Sequence, residues 1–270
     1  MTEANIIKRN NVSIEGNYFS KSTIIFAHGF GTDQSAWNRV KPSFLEKHKL
    51  ILYDNTGAAG DSYDSYSKEK YKSLDAYARD LIEICAALNI EQAFFAGHSV
   101  SGMIGIIAAS IQPHLFSKLI LIGASPRYLN DVNYTGGFEQ SDLDSIYENI
   151  ESNFYNWANG FSKAAMRNFD RPLLREEFAN LLLSLRPDIA LETAKAIFQS
   201  DYRHLLPKIN HDVLILQASN DIAVPQEVGT YLNEQLKNST LITVNAEGHF
   251  PHMSAAPEVA GAIRNFIEAS

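Results

Sequence analysis

Short apolar runs alternate with amphipathic stretches through the first half of the chain. Continuous runs of this kind are typical of strands that are buried on both faces of a parallel sheet. Apolar residues recur three and four positions apart over 74–88 and 36–47, which predicts helices. Strands alternating with helices predict a doubly wound, mostly parallel α/β sheet. The apolar runs lie at 23–27, 50–54, 93–96 and 119–123.

The alternation stops between residues 126 and 200, where the pattern predicts helices and no strand. We expect a core formed by 1–125 and 201–270, and a helical lid formed by 126–200. Long insertions of this type usually cover a functional site. The other predicted elements are an edge strand within 6–16, lid helices at 142–150, 154–161, 175–185 and 189–198, strands at 213–217 and 241–244, and a last helix at 257–269.

Composition narrows the classes of function. The 270 residues are 45% hydrophobic and carry a net charge of −8, with no block of Lys and Arg. This charge argues against nucleic acids and anionic membranes as partners. The single cysteine, Cys85, allows no internal disulfide and is expected as a buried thiol. With no signal-like N-terminus and no long apolar run, we expect a cytoplasmic protein, or in a eukaryote also a nuclear one.

A candidate nucleophile lies between the strand at 93–96 and the apolar helix that follows it. The sequence there is Gly97-His98-Ser99-Val100-Ser101. A sharp turn between a buried strand and a helix lifts one side chain above the sheet, and its neighbours must be small. Ser99 is that side chain, although Ser101 replaces the more usual glycine. A chance match at an ordinary strand–helix junction is the alternative interpretation.

A serine nucleophile needs a base and an acid that orients the base. Asp221 follows the strand at 213–217, and His249 follows the strand at 241–244. Both therefore lie at the carboxyl edge of the sheet, where reactive groups collect. The order Ser99, Asp221, His249 is the order expected for a hydrolase of this type.

Other residues compete for these roles. His252 is the main alternative base, and Asp201 is the main alternative acid. No cluster of histidines and carboxylates has the spacing of metal ligands, so we expect neither a metal nor another cofactor. An oxyanion hole needs two backbone N–H groups, and the candidates are Val100 and Phe30, the latter within the glycine-rich loop after the strand at 23–27.

Several longer motifs resemble the plant karrikin and strigolactone receptor hydrolases and their bacterial relative, the stress-regulator hydrolase of the sigma-B pathway. The resemblance covers nearly the whole chain. The segment 247–254 is more similar to the bacterial member than to the plant proteins. The matching segments are 97–101, 123–131, 136–139, 186–189 and 198–201.

The resemblance implies an α/β-hydrolase fold under a V-shaped lid of four helices. It implies Ser99, Asp221 and His249 as a triad, with Phe30 and Val100 as the oxyanion hole. It further implies butenolide lactones or similar small hydrophobic esters as ligands. The implied pocket consists of Phe30, Phe138, Trp157, Phe161, Phe198, Ile222 and Ala223. Without the resemblance, these lid aromatics would be interpreted as core packing.

Two functions fit these residues. The first is a serine hydrolase of small lactones or esters that forms an acyl-enzyme on Ser99. The second is a ligand-binding receptor whose lid docks a signalling protein, with slow or incidental hydrolysis. A different acyl-transfer reaction on the same scaffold is a third interpretation, because a fold does not determine a function.

Overall fold

A seven-stranded sheet organises the protein. The structure is a computed structural model that describes residues 2–269, apart from the side chain of residue 61. The strand order is β1-β3-β2-β4-β5-β6-β7, and every pair is parallel except β1 with β3. The strands are β1 (Ser13–Gly16), β2 (Thr23–Ala27), β3 (Lys49–Tyr53), β4 (Ala93–His98), β5 (Phe116–Ile122), β6 (Asp212–Asn220) and β7 (Asn238–Glu247).

Helices cover both faces of the sheet. Successive strand residues point to opposite faces, so Ile25 packs in one apolar cluster while Ile24 and Phe26 pack in another. This double burial explains why the central strands are continuous apolar runs. The helices are α1 (Glu3–Arg9), α2 (Leu74–Ala87), α3 (Val100–Ile111), α4 (Gln140–Ser152), α5 (Phe154–Met166), α6 (Pro172–Leu183), α7 (Pro187–Phe198), α8 (Gln226–Gln235), α9 (Pro251–Ser254) and α10 (Ala256–Glu268).

Two predicted elements are wrong. The N-terminal segment forms helix α1 before the short strand β1, instead of one edge strand over 6–16. Residues 36–47 do not form an α-helix, and two short 3₁₀ helices, Gln34–Trp37 and Lys41–Ser43, lie in this part of the chain instead. Pro42 has no N–H for an α-helical hydrogen bond, so it interrupts the helix that the apolar spacing suggested. Helix α8 was not anticipated, because few of its residues are buried.

The insertion between β5 and β6 contains helices α4 to α7. Helix α4 packs on α7, and α5 packs on α6. Arg127 and Asp201, at the two ends of the insertion, form a β-bridge and an ion pair of 3.1 Å between Nη1 and Oδ2. The division into a core of 1–125 and 201–270 and a lid of 126–200 stays a prediction. Among residues 2–269, every helix is too short or too polar to cross a membrane.

Candidate functional site

Ser99 occupies the sharp turn between β4 and α3. Its backbone has φ 54° and ψ −124°, an unusual conformation for a residue with a side chain. A Cβ added at Gly97 would lie 2.5 Å from the carbonyl oxygen of Ser101, so only glycine fits there. Ser101 fits because its small hydroxyl donates a hydrogen bond to the carbonyl of His28. The turn therefore presents the Ser99 side chain at the carboxyl end of the sheet.

The structure brings Ser99, His249 and Asp221 into one hydrogen-bonded chain. The distance from Ser99 Oγ to His249 Nε2 is 2.8 Å, and from His249 Nδ1 to Asp221 Oδ2 it is 2.7 Å. Because a carboxylate can only accept, Nδ1 carries the proton and Nε2 accepts from the serine. This arrangement makes Nε2 of the imidazole a base for the Ser99 hydroxyl.

The Asp221 carboxylate is held by backbone donors. Its side chain is fully buried. Oδ1 accepts hydrogen bonds from the N–H groups of Ala223 at 2.8 Å and Val224 at 3.2 Å. These bonds leave Oδ2 pointing at His249. Asp221 is therefore fixed in the position that orients the imidazole.

The lid holds the backbone of the loop that carries His249. The His249 N–H donates to the carbonyl of Ala165, near the end of α5, at 2.7 Å. Gly248 has φ +84°, and a Cβ there would lie 2.2 Å from the carbonyl of Met166. Asn168 Nδ2 also donates to the Glu247 carbonyl at 2.8 Å. The position of the candidate base is thus coupled directly to helix α5 of the lid.

Neither His252, the alternative base, nor Asp201, the alternative acid, takes part in the hydrogen-bonded chain at Ser99. His252 is fully buried between the rings of Trp37 and His98, and burial lowers its pKa to about 3. Neither of its ring nitrogens forms a hydrogen bond to a described residue. Asp201 is occupied by ion pairs with Arg127 and Arg203.

His98 is a packing residue next to the candidate base. Its ring is fully buried, and its Nε2 lies 2.8 Å from the His249 carbonyl oxygen, to which it donates. Burial holds the pKa of His98 well below its usual range, so the ring stays neutral. The His98 side chain therefore supports the His249 loop and does not reach Ser99.

Two backbone N–H groups flank Ser99. Val100 is the first residue of α3, so its N–H has no acceptor within the helix. The Phe30 N–H donates no hydrogen bond to a described residue. A Cβ at the preceding residue, Gly29, would lie 3.1 Å from Ser99 Cβ, which shows how closely this loop approaches the serine.

The side chain of Ser99 opens into a narrow cavity, which we call the Ser99 cavity. Four of the seven expected pocket residues line it: Phe30, Phe161, Phe198 and Ala223. The other lining residues are Ser99, Tyr128, Ile197, His249 and Phe250.

The remaining three expected pocket residues lie outside this wall. The Phe138 ring packs 5.6 Å from Phe198, and Trp157 stacks on Phe161 at 5.2 Å. Phe138 and Trp157 therefore form a second layer of aromatic rings behind the side chains that line the Ser99 cavity. Ile222 is 42% exposed, because the turn after Asp221 carries it to the surface.

Sequence reasoning missed Tyr128, whose hydroxyl lies 3.4 Å from Ser99 Oγ. Burial raises the pKa of Tyr128, so its phenol stays neutral and can donate a hydrogen bond. The available signal was position, because Tyr128 follows β5 at the same sheet edge as the other site residues. Ile197 and Phe250 were also missed, since isolated apolar residues carry no such signal.

Comparison with known proteins places this geometry in a family. The model of the α/β-hydrolase fold family matches residues 22–256. The chain belongs to the α/β-hydrolase family. This match confirms the fold class that the sequence predicted.

The similar proteins include plant receptors and esterases. The chain is 42% identical to a karrikin insensitive 2 receptor of Petunia hybrida over 93% of this chain and 92% of the relative. It is 43% identical to a strigolactone esterase of Pisum sativum, over 94% and 95% of the two chains. Among solved structures, a hydrolase from Oleispira antarctica superposes with a TM-score of 0.96 at 34% identity, over 100% and 98% of the chains. The resemblance drawn from the sequence motifs is therefore confirmed.

Proposed function

We propose that this α/β-hydrolase is a serine hydrolase of small neutral esters and lactones. The observation that carries the proposal is the hydrogen-bonded chain from Ser99 through His249 to Asp221. The triad opens into an apolar cavity beside two backbone N–H groups. The esterase and hydrolase names of the similar proteins agree with this activity.

In the proposed reaction, His249 Nε2 takes the proton from Ser99 as Oγ attacks the carbonyl carbon. The carbonyl oxygen becomes an oxyanion, which the N–H groups of Phe30 and Val100 stabilise. The imidazolium then protonates the departing alkoxide, leaving an acyl group on Ser99. Water attacks the acyl-enzyme by the same route and releases the acid. Asp221 stabilises the imidazolium in both steps.

The cavity wall favours an apolar substrate. It consists mainly of aromatic and aliphatic side chains, and the described wall contains no Lys or Arg to bind an anion. Tyr128 adds a neutral hydroxyl 3.4 Å from Ser99 Oγ, within reach of a substrate oxygen. We include butenolide lactones among the substrates because the similar proteins carry strigolactone and karrikin names.

A receptor function is the second candidate. The hydrogen bond from His249 N–H to the Ala165 carbonyl links the triad loop to the lid, so a ligand on Ser99 can change the lid. Lid residues Phe169 and Leu173 expose large apolar side chains, which suit contact with another protein. In this proposal the ligand is still a small lactone, and a partner protein binds the lid.

Replacing the nucleophile tests the hydrolase proposal. We expect Ser99→Ala to lower turnover of a p-nitrophenyl acetate by at least about 10⁴-fold and to abolish labelling by a fluorophosphonate probe. Ser117→Ala, on β5 outside the site, is the matched control. Labelling that persists in Ser99→Ala would show that another residue is the nucleophile.

Ligand-dependent binding distinguishes the two functions. A receptor should bind a partner protein more tightly when a butenolide is present, and this response should not require multiple turnovers. A hydrolase alone should turn over the butenolide without changing any lid contact. Turnover and partner binding, measured on the same preparation, separate the two outcomes.

A further inference from the structure

A second, narrow cavity lies beside the Ser99 cavity. We call it the inner compartment. It is bounded by the loops after β2 and β3, the first turns of α2 and α3, and helix α7 of the lid. Its apolar wall includes Leu74, Ile104, Leu185, Ile189, Ala190 and Ile197.

Phe30 and Ile197 line both cavities. These two side chains are therefore the partition between the inner compartment and the Ser99 cavity. Phe30 also contributes the backbone N–H proposed for the oxyanion hole. Its side chain can rotate about χ1 while that N–H stays in place. The partition can thus open without dismantling the proposed catalytic geometry.

The side chains that line the inner compartment are uncharged. None of its lining residues is Asp, Glu, Lys or Arg. Tyr77 and Thr193 supply hydroxyls, and the buried Tyr77 hydroxyl makes no hydrogen bond of normal geometry with a described residue. Burial also raises the pKa of Tyr77, with the nearby Thr193 acting in the opposite direction, so the phenol stays neutral.

The polar groups at the other end of the compartment already form hydrogen bonds within the protein. Asn55 Nδ2 donates to the His28 carbonyl and to Ser101 Oγ, and its backbone N–H donates to His28 Nε2. Thr56 Oγ1 donates to Asp80. The hydroxyls of Tyr77 and Thr193 therefore supply the free hydrogen-bonding capacity of an otherwise apolar wall. A neutral, mostly apolar group carrying one oxygen atom fits this chemistry.

We propose that the inner compartment binds the apolar tail of an extended neutral ester whose carbonyl lies at Ser99. The tail passes between Phe30 and Ile197, and a tail oxygen accepts a hydrogen bond from Tyr77. Both spaces are narrow, so the tail moves these partition side chains apart as it enters. This inference rests on the proposed ester hydrolysis at Ser99.

Filling the compartment from helix α7 tests the proposal. Ala190 lines the inner compartment but not the Ser99 cavity, and it is fully buried. In wild type, we expect kcat/KM to rise with tail length in at least one of two series, p-nitrophenyl esters of longer acids or acetates of longer alcohols. In Ala190→Leu, kcat/KM for the long members of that series should fall at least about ten-fold more than kcat/KM for p-nitrophenyl acetate.

Two further variants keep the test decisive. Ala196→Leu makes the same substitution on the same helix outside both cavities and should keep the wild-type preference. Ile189→Ala enlarges the compartment and should shift the preference toward bulkier tails.

If Ala190→Leu hydrolyses p-nitrophenyl acetate normally and leaves both length series unchanged, the inner compartment does not bind substrate. If wild type hydrolyses no ester, the proposed function itself fails.

Discussion

The loops at the strand ends and the lid above them hold their functional side chains in different ways. Asp221 accepts two backbone hydrogen bonds and orients His249 at 2.7 Å, so its carboxylate is held by directional bonds to defined partners. The lid contributes Phe161 and Phe198 through ring contacts, which have no such fixed geometry. Changes at the strand ends should therefore abolish the chemistry, whereas changes in the lid should alter ligand binding by degrees.

The largest expected effect is loss of the candidate base. His249→Ala should lower ester turnover by at least about 10⁴-fold, because no other imidazole contacts Ser99 Oγ among the described residues. His252→Phe is the matched control, since both His252 ring nitrogens lack hydrogen bonds to described residues and its ring packs on Trp37. Steady-state kinetics on a small aryl ester measures both. The comparison fails if His252→Phe loses activity and His249→Ala keeps it.

The strand-end residues were also the ones that sequence could predict. Parallel strands end at one edge of a sheet, so a serine turn, an acid and a histidine after three separate strands must lie near one another. The pocket was harder to predict, because a helix position does not determine which cavity a side chain faces. Phe138 and Trp157 accordingly lie in a second layer, while Tyr128 and Ile197 line the cavity.

Local backbone chemistry caused one of the errors in the fold. Apolar spacing over 36–47 suggested a helix, and Trp37, Val40 and Phe44 are indeed buried. Pro42 nevertheless restricts the segment to 3₁₀ turns. Apolar residues spaced three and four positions apart can thus be buried without forming a regular α-helix.

The next expected effect is on stability and concerns His252, which lies outside the proposed triad. Burial lowers the pKa of His252 to about 3, whereas the pKa of a histidine in the unfolded chain is about 6.5. Between these pH values the unfolded chain binds a proton that the folded chain does not, so stability falls as pH decreases. One such group contributes a slope of about 1.4 kcal/mol per pH unit.

His252→Phe should remove this contribution. We expect the variant to gain stability relative to wild type as the pH falls from about 6.5 to about 4, and the two curves to run parallel above about pH 7. Urea denaturation at each pH gives the difference, which cancels the titration of groups that do not contact His252. A constant difference across the whole range would mean that folding does not lower the pKa of His252.

The smallest expected effect concerns the lid. Phe161 lines the Ser99 cavity and stacks on Trp157 at 5.2 Å, so truncating it removes an apolar contact with a ligand. Phe161→Ala should weaken butenolide binding by roughly 1–3 kcal/mol and leave turnover of a small acetate ester nearly unchanged. Ligand binding to the folded state raises the melting temperature in proportion to the logarithm of ligand concentration above Kd. A melting series against butenolide concentration therefore reports the weaker binding as a curve displaced to higher concentration.

Phe154→Ala, which removes another α5 aromatic outside the cavity, should keep the wild-type response. If Phe161→Ala also keeps it, Phe161 only packs the lid, and the contrast between fixed chemistry and graded binding does not extend to this side chain.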